Sequence, residues 1–116
     1  MAAAVLAIGM GVLSAAPAHA VGSFKVKVTP YQCTQTDYSG YTAGVLGETR
    51  NGPSTCLGSN KLTVKIKLVR GTSSTITKTS TYGVVSTSLG GSGSLLGTHN
   101  LCWPYVLATT CMTKYT

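Results

Sequence analysis

Hydrophobic and polar residues alternate most regularly along residues 61–70, where Leu, Val or Ile occupies positions 62, 64, 66 and 68 and lysine occupies positions 61, 65 and 67. Side chains of a β-strand point alternately to opposite faces, so the pattern predicts a strand with one buried face and one lysine-bearing face. A helix would scatter the same lysines around its axis. Residues 24–29, Phe-Lys-Val-Lys-Val-Thr, alternate in the same way and predict another strand, which Pro30 ends.

Shorter sequence patterns predict the secondary structure of the rest of the chain. Residues 34–60 are rich in Gly, Ser and Thr and predict a long irregular segment, with a short strand at 41–46 and a turn at Arg50-Asn51-Gly52-Pro53. Further strands are predicted over residues 72–81, 82–89 and 105–115, the last without interruption, and a Gly/Ser loop at residues 90–94.

No stretch combines a helical repeat of apolar residues with capping residues. Short strands separated by turns predict an all-β fold, a small β-sandwich or barrel of about five to seven antiparallel strands. The length allows a single domain, which we place at residues 21–116.

The first twenty residues have the pattern of a targeting segment. Residues 5–12 are apolar, Pro17 follows, and Ala18-His19-Ala20 matches a small-x-small cleavage site. The apolar run is too short for a membrane span, and no later stretch is apolar enough. We therefore expect a signal peptide cleaved after Ala20 and a secreted chain without a transmembrane segment; a buried core helix is the alternative. No Lys or Arg precedes the apolar run, which leaves the true start codon open.

All four cysteines lie after residue 20, and an even number in an exported chain predicts disulfides. Three pairings are possible. We favour Cys33–Cys56 and Cys102–Cys111, because each closes a local loop around turn-forming residues. Each bridge is expected to stabilise the fold by about 2–4 kcal/mol, which is a large share for a small domain.

Nine basic residues oppose Asp37 and Glu48 alone, for a net charge of +7. Such an excess favours an anionic partner, either a cell-envelope polymer or an acidic extracellular protein. The alternative is that the charge only keeps the protein soluble. Nucleic acid is disfavoured because no Arg-rich or aromatic-interleaved motif accompanies the lysines.

The predicted binding face carries Lys61, Lys65 and Lys67 on one side of one strand. Lys25 and Lys27 would extend it to five ammonium groups if residues 24–29 lie beside that strand in the same sheet. The alternative is that lysines on strands prevent edge-to-edge aggregation. The sequence does not decide whether the two strands are neighbours.

Few side chains suited to catalysis follow residue 20, since His99 is the only histidine there and Asp37 and Glu48 are the only carboxylates. A Ser-His-acid triad or a carboxylate pair would have to use these residues. The spacing of Cys102 and Cys111 does not suit a zinc knuckle, and the glycine loop lacks a following Lys-Ser/Thr. We expect no enzymatic activity, cofactor or metal site, and interpret His99 as a surface or capping residue.

The loop closed by Cys33 and Cys56 is the second predicted binding element and holds Tyr38, Tyr41 and Arg50. A tethered loop loses little entropy on binding, and Tyr and Arg are common interface anchors. The alternative is that the tyrosines cover the end of the core and that Arg50 is solvated.

Trp103 follows Cys102 and precedes Pro104. We expect its ring to pack over the neighbouring disulfide, with an exposed anchor for a receptor or sugar as the alternative.

Together these features predict a secreted, basic, disulfide-stabilised binding protein that acts through the lysine face or the tethered loop. Two other classes stay open: a cationic antimicrobial or component of a secreted toxin, and an inhibitor of an extracellular hydrolase such as a trypsin-like protease that receives Arg50. The Ala- and Gly-rich leading segment is compatible with a bacterial source.

Overall fold

The structure is a computed structural model and describes residues 22–58, 60–72 and 74–116. This part of the chain contains eight β-strands and no helix. The expected signal peptide, residues 1–20, and its cleavage site after Ala20 lie outside the described residues. The strands are β1 (Ser23–Val28), β2 (Thr36–Ala43), β3 (Leu46–Asn51), β4 (Thr63–Arg70), β5 (Ser74–Ser80), β6 (Val84–Ser88), β7 (Leu95–Tyr105) and β8 (Ala108–Tyr115).

The strands form two four-stranded antiparallel sheets. The first sheet has the order β1-β2-β3-β6, and the second has the order β5-β4-β7-β8. The two sheets pack face to face around one apolar core, which confirms the all-β prediction with more strands than the five to seven expected. The buried core residues are Val28, Tyr38, Leu62, Val64, Ile66, Leu68, Val85, Leu101 and Trp103.

The strand β4 follows directly from its alternating sequence. Val64, Ile66 and Leu68 are fully buried, while Lys67 between them is exposed. β4 is a central strand that pairs with β5 on one side and β7 on the other. Its apolar face therefore forms the middle of the core, and its lysine face is the middle of the outer surface of the second sheet.

The long irregular segment predicted over residues 34–60 is wrong for residues 36–51, which form the hairpin of β2 and β3. The turn lies at Gly44 and Val45 and not at residues 50–53, because Arg50 and Asn51 belong to β3. Two inward positions of this hairpin hold glycine instead of large apolar residues, which hides the strand pattern. A Cβ atom at Gly40 would overlap the ring of His99, and one at Gly47 would overlap Leu68.

The uninterrupted strand predicted over residues 105–115 is also wrong. The chain forms a hairpin there, in which β7 runs from Leu95 to Tyr105 and β8 returns from Ala108. The turn residues are Val106 and Leu107, and Val106 has a φ of 57°. A positive φ is rare for a β-branched residue, so no residue at this turn signals it in the sequence.

Both disulfides have the pairing favoured from the sequence, Cys33–Cys56 and Cys102–Cys111. The first ties the β1–β2 connection to the β3–β4 connection, and the second joins directly opposed residues of β7 and β8. We call this end of the sandwich the disulfide end; it comprises the β1–β2, β3–β4, β5–β6 and β7–β8 connections. Within the described residues, no helix has the length and apolarity needed to cross a membrane.

Candidate functional site

The charges of the first sheet are neutralised within that sheet. Lys27 Nζ lies 2.8 Å from Asp37 Oδ1, and Lys25 Nζ lies 3.9 Å from Asp37 Oδ2. The hydrogen bond from Lys27 is the main reason why the pKa of Asp37 is below its usual range. Arg50 Nε lies 3.1 Å from Glu48 Oε2 on the same strand. Every basic residue of the first sheet thus has a carboxylate beside it.

The second sheet has the opposite character. Its strands contain no Asp or Glu, and in the described part of the chain none of its lysines forms an ion pair. Arg70, at the end of β4, is engaged by the fold because its guanidinium donates hydrogen bonds to the carbonyls of Leu89, Gly93 and Gly44. The lysines on or beside this sheet are Lys61, Lys65, Lys67, Lys78 and Lys114.

Lys65 and Lys67 lie at the centre of the outer face of this sheet. Cross-strand neighbours on one face are close enough for their side chains to interact, and the register places threonine or asparagine on both sides of each lysine. We call this surface the β4 face. Its members are Lys65 and Lys67 on β4, Thr77 and Thr79 on β5, and Thr98 and Asn100 on β7. Ammonium, hydroxyl and amide groups in this arrangement can donate hydrogen bonds to phosphate, sulfate or carboxylate oxygens.

Lys61 extends the line of cations toward the disulfide end. It precedes β4 and lines a cavity of about 250 Å³ together with Cys102 and Pro104. It also lines a larger cavity of about 620 Å³ beside Asn60 and Tyr82. Lys61 lies six residues before Lys67, and an extended chain of that length spans at most about 20 Å.

The predicted patch of five lysines does not form. Lys25 and Lys27 lie on β1 in the first sheet, whereas Lys65 and Lys67 lie on β4 in the second sheet. The outer faces of two packed sheets point in opposite directions. The expectation depended on β1 and β4 being neighbours, but β4 pairs with β5 and β7 instead.

Lys78 and Lys114 have a different position and a different explanation. They lie on β5 and β8, the two edge strands of the second sheet, opposite Ile66 and His99 respectively. Both partners are fully buried, so each lysine occupies a core-facing position of an edge strand. Inward-pointing charge on an edge strand prevents pairing with another chain. The interpretation that strand lysines prevent edge-to-edge aggregation therefore fits Lys78 and Lys114 but not the lysines of β4.

His99 is not a surface or capping residue, and that interpretation is wrong. Its side chain is fully buried between the two sheets, with Nδ1 2.8 Å from Thr49 Oγ1 and Nε2 2.8 Å from Thr116 Oγ1. Burial lowers the pKa of His99 to about 4, so the ring is neutral at neutral pH.

Hydrogen bonding around His99 determines its tautomer. The Thr49 hydroxyl donates its only hydrogen bond to the carbonyl of Lys65, so its oxygen accepts a hydrogen bond from His99 Nδ1–H. His99 Nε2 must then accept from Thr116, which in turn accepts from Thr42. Both ring nitrogens therefore have hydrogen-bond partners. His99 links the second sheet to β3 of the first sheet through Thr49, and Thr116, the residue after β8, continues the hydrogen bonds to Thr42 on β2.

The tethered-loop expectation is also corrected, because its three named residues lie in strands. Tyr38, on β2, is fully buried, and its hydroxyl donates to the carbonyl of His99 at 2.6 Å; burial raises its pKa. Tyr41 is half-buried on β2, and Arg50 lies in β3 beside Glu48. The structure gives no tethered Arg50 loop to present to a protease.

Trp103 belongs to the core and is not an exposed anchor. It lies on β7 next to Cys102, which is also buried, and the packing of its ring over the neighbouring disulfide stays a prediction.

Sequence reasoning missed one surface entirely, the tip of the β7–β8 hairpin. Val106 and Leu107 are both exposed there. Neither residue type favours a turn, so the local sequence contains no signal for it.

The described residues contain no group of three or more His, Cys, Asp or Glu side chains that could hold a metal ion. Comparisons with protein-family models, with curated proteins and with solved structures found no match to this chain.

Proposed function

We propose that this protein is a secreted, non-enzymatic binding protein whose β4 face holds an anionic cell-envelope polymer. Lys65 and Lys67 would contact successive anionic groups, and the flanking hydroxyl and amide groups would donate hydrogen bonds to the same oxygens. Two disulfides are compatible with an oxidising, extracellular compartment.

The observation that carries the proposal is a pair of lysines without carboxylate partners on a central strand. An edge strand needs charge to avoid aggregation, but β4 is covered on both sides by β5 and β7. Solubility alone does not explain why the first sheet pairs its cations with carboxylates and the second does not. An anionic ligand would relieve the repulsion between Lys65 and Lys67, which are about 6.7 Å apart along the strand.

The linear arrangement favours a polymer over a small anion. Lys65 and Lys67 lie on β4 and Lys61 lies two residues before it, so the three cations can extend over up to about 20 Å, a distance that a single phosphate or sulfate does not span. A chain with repeated anionic groups can occupy all three positions at once, and each contact would add about 1 kcal/mol at an anionic surface.

A binding assay with matched charge variants tests the proposal. Labelled teichoic acid is titrated with the oxidised protein, and fluorescence anisotropy gives the affinity. The double variant Lys65→Gln/Lys67→Gln should bind about thirtyfold more weakly. The control Lys25→Gln/Lys27→Gln removes the same charge from the first sheet and should change the affinity less than about threefold.

Equal losses in the two double variants would reject the β4 face as the binding surface, because they would show that only the net charge matters. Binding of an acidic protein but not of teichoic acid would reject the polymer as the partner.

A further inference from the structure

We infer that the tip of the β7–β8 hairpin, Val106 and Leu107, inserts into the interfacial region of an anionic lipid bilayer. The inference does not rest on polymer binding, because it concerns the disulfide end of the molecule and not the β4 face.

Two apolar side chains at the disulfide end are largely exposed to solvent. Leu107 has 99% of its surface accessible and Val106 has 74%. Single exposed apolar residues are common on protein surfaces, but here they are consecutive and form the outermost point of a hairpin. Leu57, exposed at 65%, lies on the neighbouring β3–β4 connection and donates its backbone N–H to Gln32.

The backbone at the tip is strained in a way that a different residue would relieve. Val106 has a φ of 57°, which glycine or asparagine adopts easily and a β-branched residue does not. A turn shaped only for stability would have glycine at this position. Strain retained at an exposed position is typical of functional sites.

The hairpin is held rigid before any partner is present. The Cys102–Cys111 disulfide joins β7 and β8 three residue pairs from the last pair, Tyr105 and Ala108. Tyr105 also packs edge-to-face on Tyr31, with ring centroids 4.8 Å apart. Because the tip is already ordered, insertion loses little conformational entropy.

The chemistry around the tip fits a lipid surface of negative charge. Tyr31 and Tyr105 surround the base of the tip, and tyrosine favours the level of the lipid headgroups. Lys61 lies near the same base, in the small cavity that Pro104 and Thr109 also line. The four connections of the disulfide end contain no Asp or Glu, and the adjacent carboxylate of Asp37, near the start of β2, is paired with Lys27.

Vesicle binding with a fluorescent tip tests the inference. Oxidised Leu107→Trp protein is mixed with phosphatidylcholine vesicles containing about 30% phosphatidylglycerol. Insertion predicts a blue shift of the new emission and quenching by brominated acyl chains, while the buried Trp103 contributes a constant background. Pure phosphatidylcholine vesicles should give a weaker response.

Sedimentation with the same vesicles compares two leucine variants. Leu107→Ser should lower partitioning about tenfold or more, because one inserted leucine side chain is removed. The control Leu46→Ser lies at the opposite end of the sandwich, on the β2–β3 hairpin, and should change partitioning less than about twofold.

Several results would overturn the inference: an unshifted emission of Leu107→Trp, wild-type partitioning of Leu107→Ser, or equal losses in the two serine variants. Equal binding to both vesicle compositions would overturn the choice of an anionic surface. Teichoic acid binding should be unchanged in Leu107→Ser, and Lys65→Gln/Lys67→Gln should keep the blue shift at saturating lipid, so failure of one proposal is distinguishable from failure of the other.

Discussion

The side chain of His99 is fitted to the space between the sheets by two glycines. A Cβ atom at Gly40 would overlap the imidazole ring, and one at Gly97 would come within 3.0 Å of His99 Nε2. Phe24 packs edge-to-face on the same ring, with centroids 5.2 Å apart. The ring therefore fills its site as a neutral group whose two nitrogens are bonded, and protonation would place an unpaired charge in the core.

This buried histidine predicts that the protein becomes less stable in acid. The unfolded chain takes up a proton near pH 6.5, whereas folded His99 does so only near pH 4. Stability should therefore decrease as the pH falls from about 6.5 to about 4, by about 3 kcal/mol in total. Urea unfolding at several pH values measures this, and His99→Gln should lose most of the slope. A wild-type stability that stays constant over this range would contradict the neutral, buried assignment.

The strained turn leads to a second prediction at the residue scale. Val106→Gly should raise the free energy of unfolding by about 1 kcal/mol, because relief of the positive φ exceeds the entropic cost of glycine. Leu107 is also exposed but has no positive φ, so Leu107→Gly should instead lower stability by about 0.5–1 kcal/mol. Chemical denaturation of the oxidised proteins compares the two, and a destabilised Val106→Gly would contradict the strain.

At the scale of the element, the sequence predicted β1 and β4 because a regular two-residue repeat survives there. It failed for β2, β3 and β7, whose inward positions include Gly40, Gly47 and Gly97. Gly40 and Gly47 make room for His99 and Leu68 of the facing sheet, and Gly97 makes room for Thr42. Local periodicity in the sequence does not reveal such contacts between distant residues. The β7–β8 turn was missed because its strained Val106 has none of the usual turn chemistry.

The edge strands β5 and β8 are expected to depend on their lysines to avoid pairing with other chains. Lys78 and Lys114 occupy core-facing positions of β5 and β8, so Lys78→Thr/Lys114→Thr should expose two pairing edges and aggregate as concentration rises. The control Lys65→Thr/Lys67→Thr removes the same charge from a central strand and should stay monodisperse. Static light scattering distinguishes the two, and aggregation of the control alone would contradict the assignment.

On the scale of the whole molecule, the two sheets divide the charge unequally. The first sheet holds both carboxylates beside its cations, and the second holds lysines that have no acidic partner among the described residues. Composition predicted the excess of positive charge but not its location, because the sheet neighbours of Lys25 and Lys65 depend on pairings between distant parts of the chain. The sequence therefore predicted the lysine surface of β4, but its extension to β1 does not form because the two strands lie in different sheets.

The central claim is that the outer face of the second sheet holds an anionic polymer, and an NMR titration tests it most directly. Teichoic acid is added to the ¹⁵N-labelled, oxidised protein, and amide shifts are followed residue by residue. The largest changes should lie at Lys65 and Lys67 and at their cross-strand neighbours, which are Thr77, Thr79, Thr98 and Asn100. Changes centred on Lys25 and Lys27, or spread evenly over both sheets, would contradict the claim.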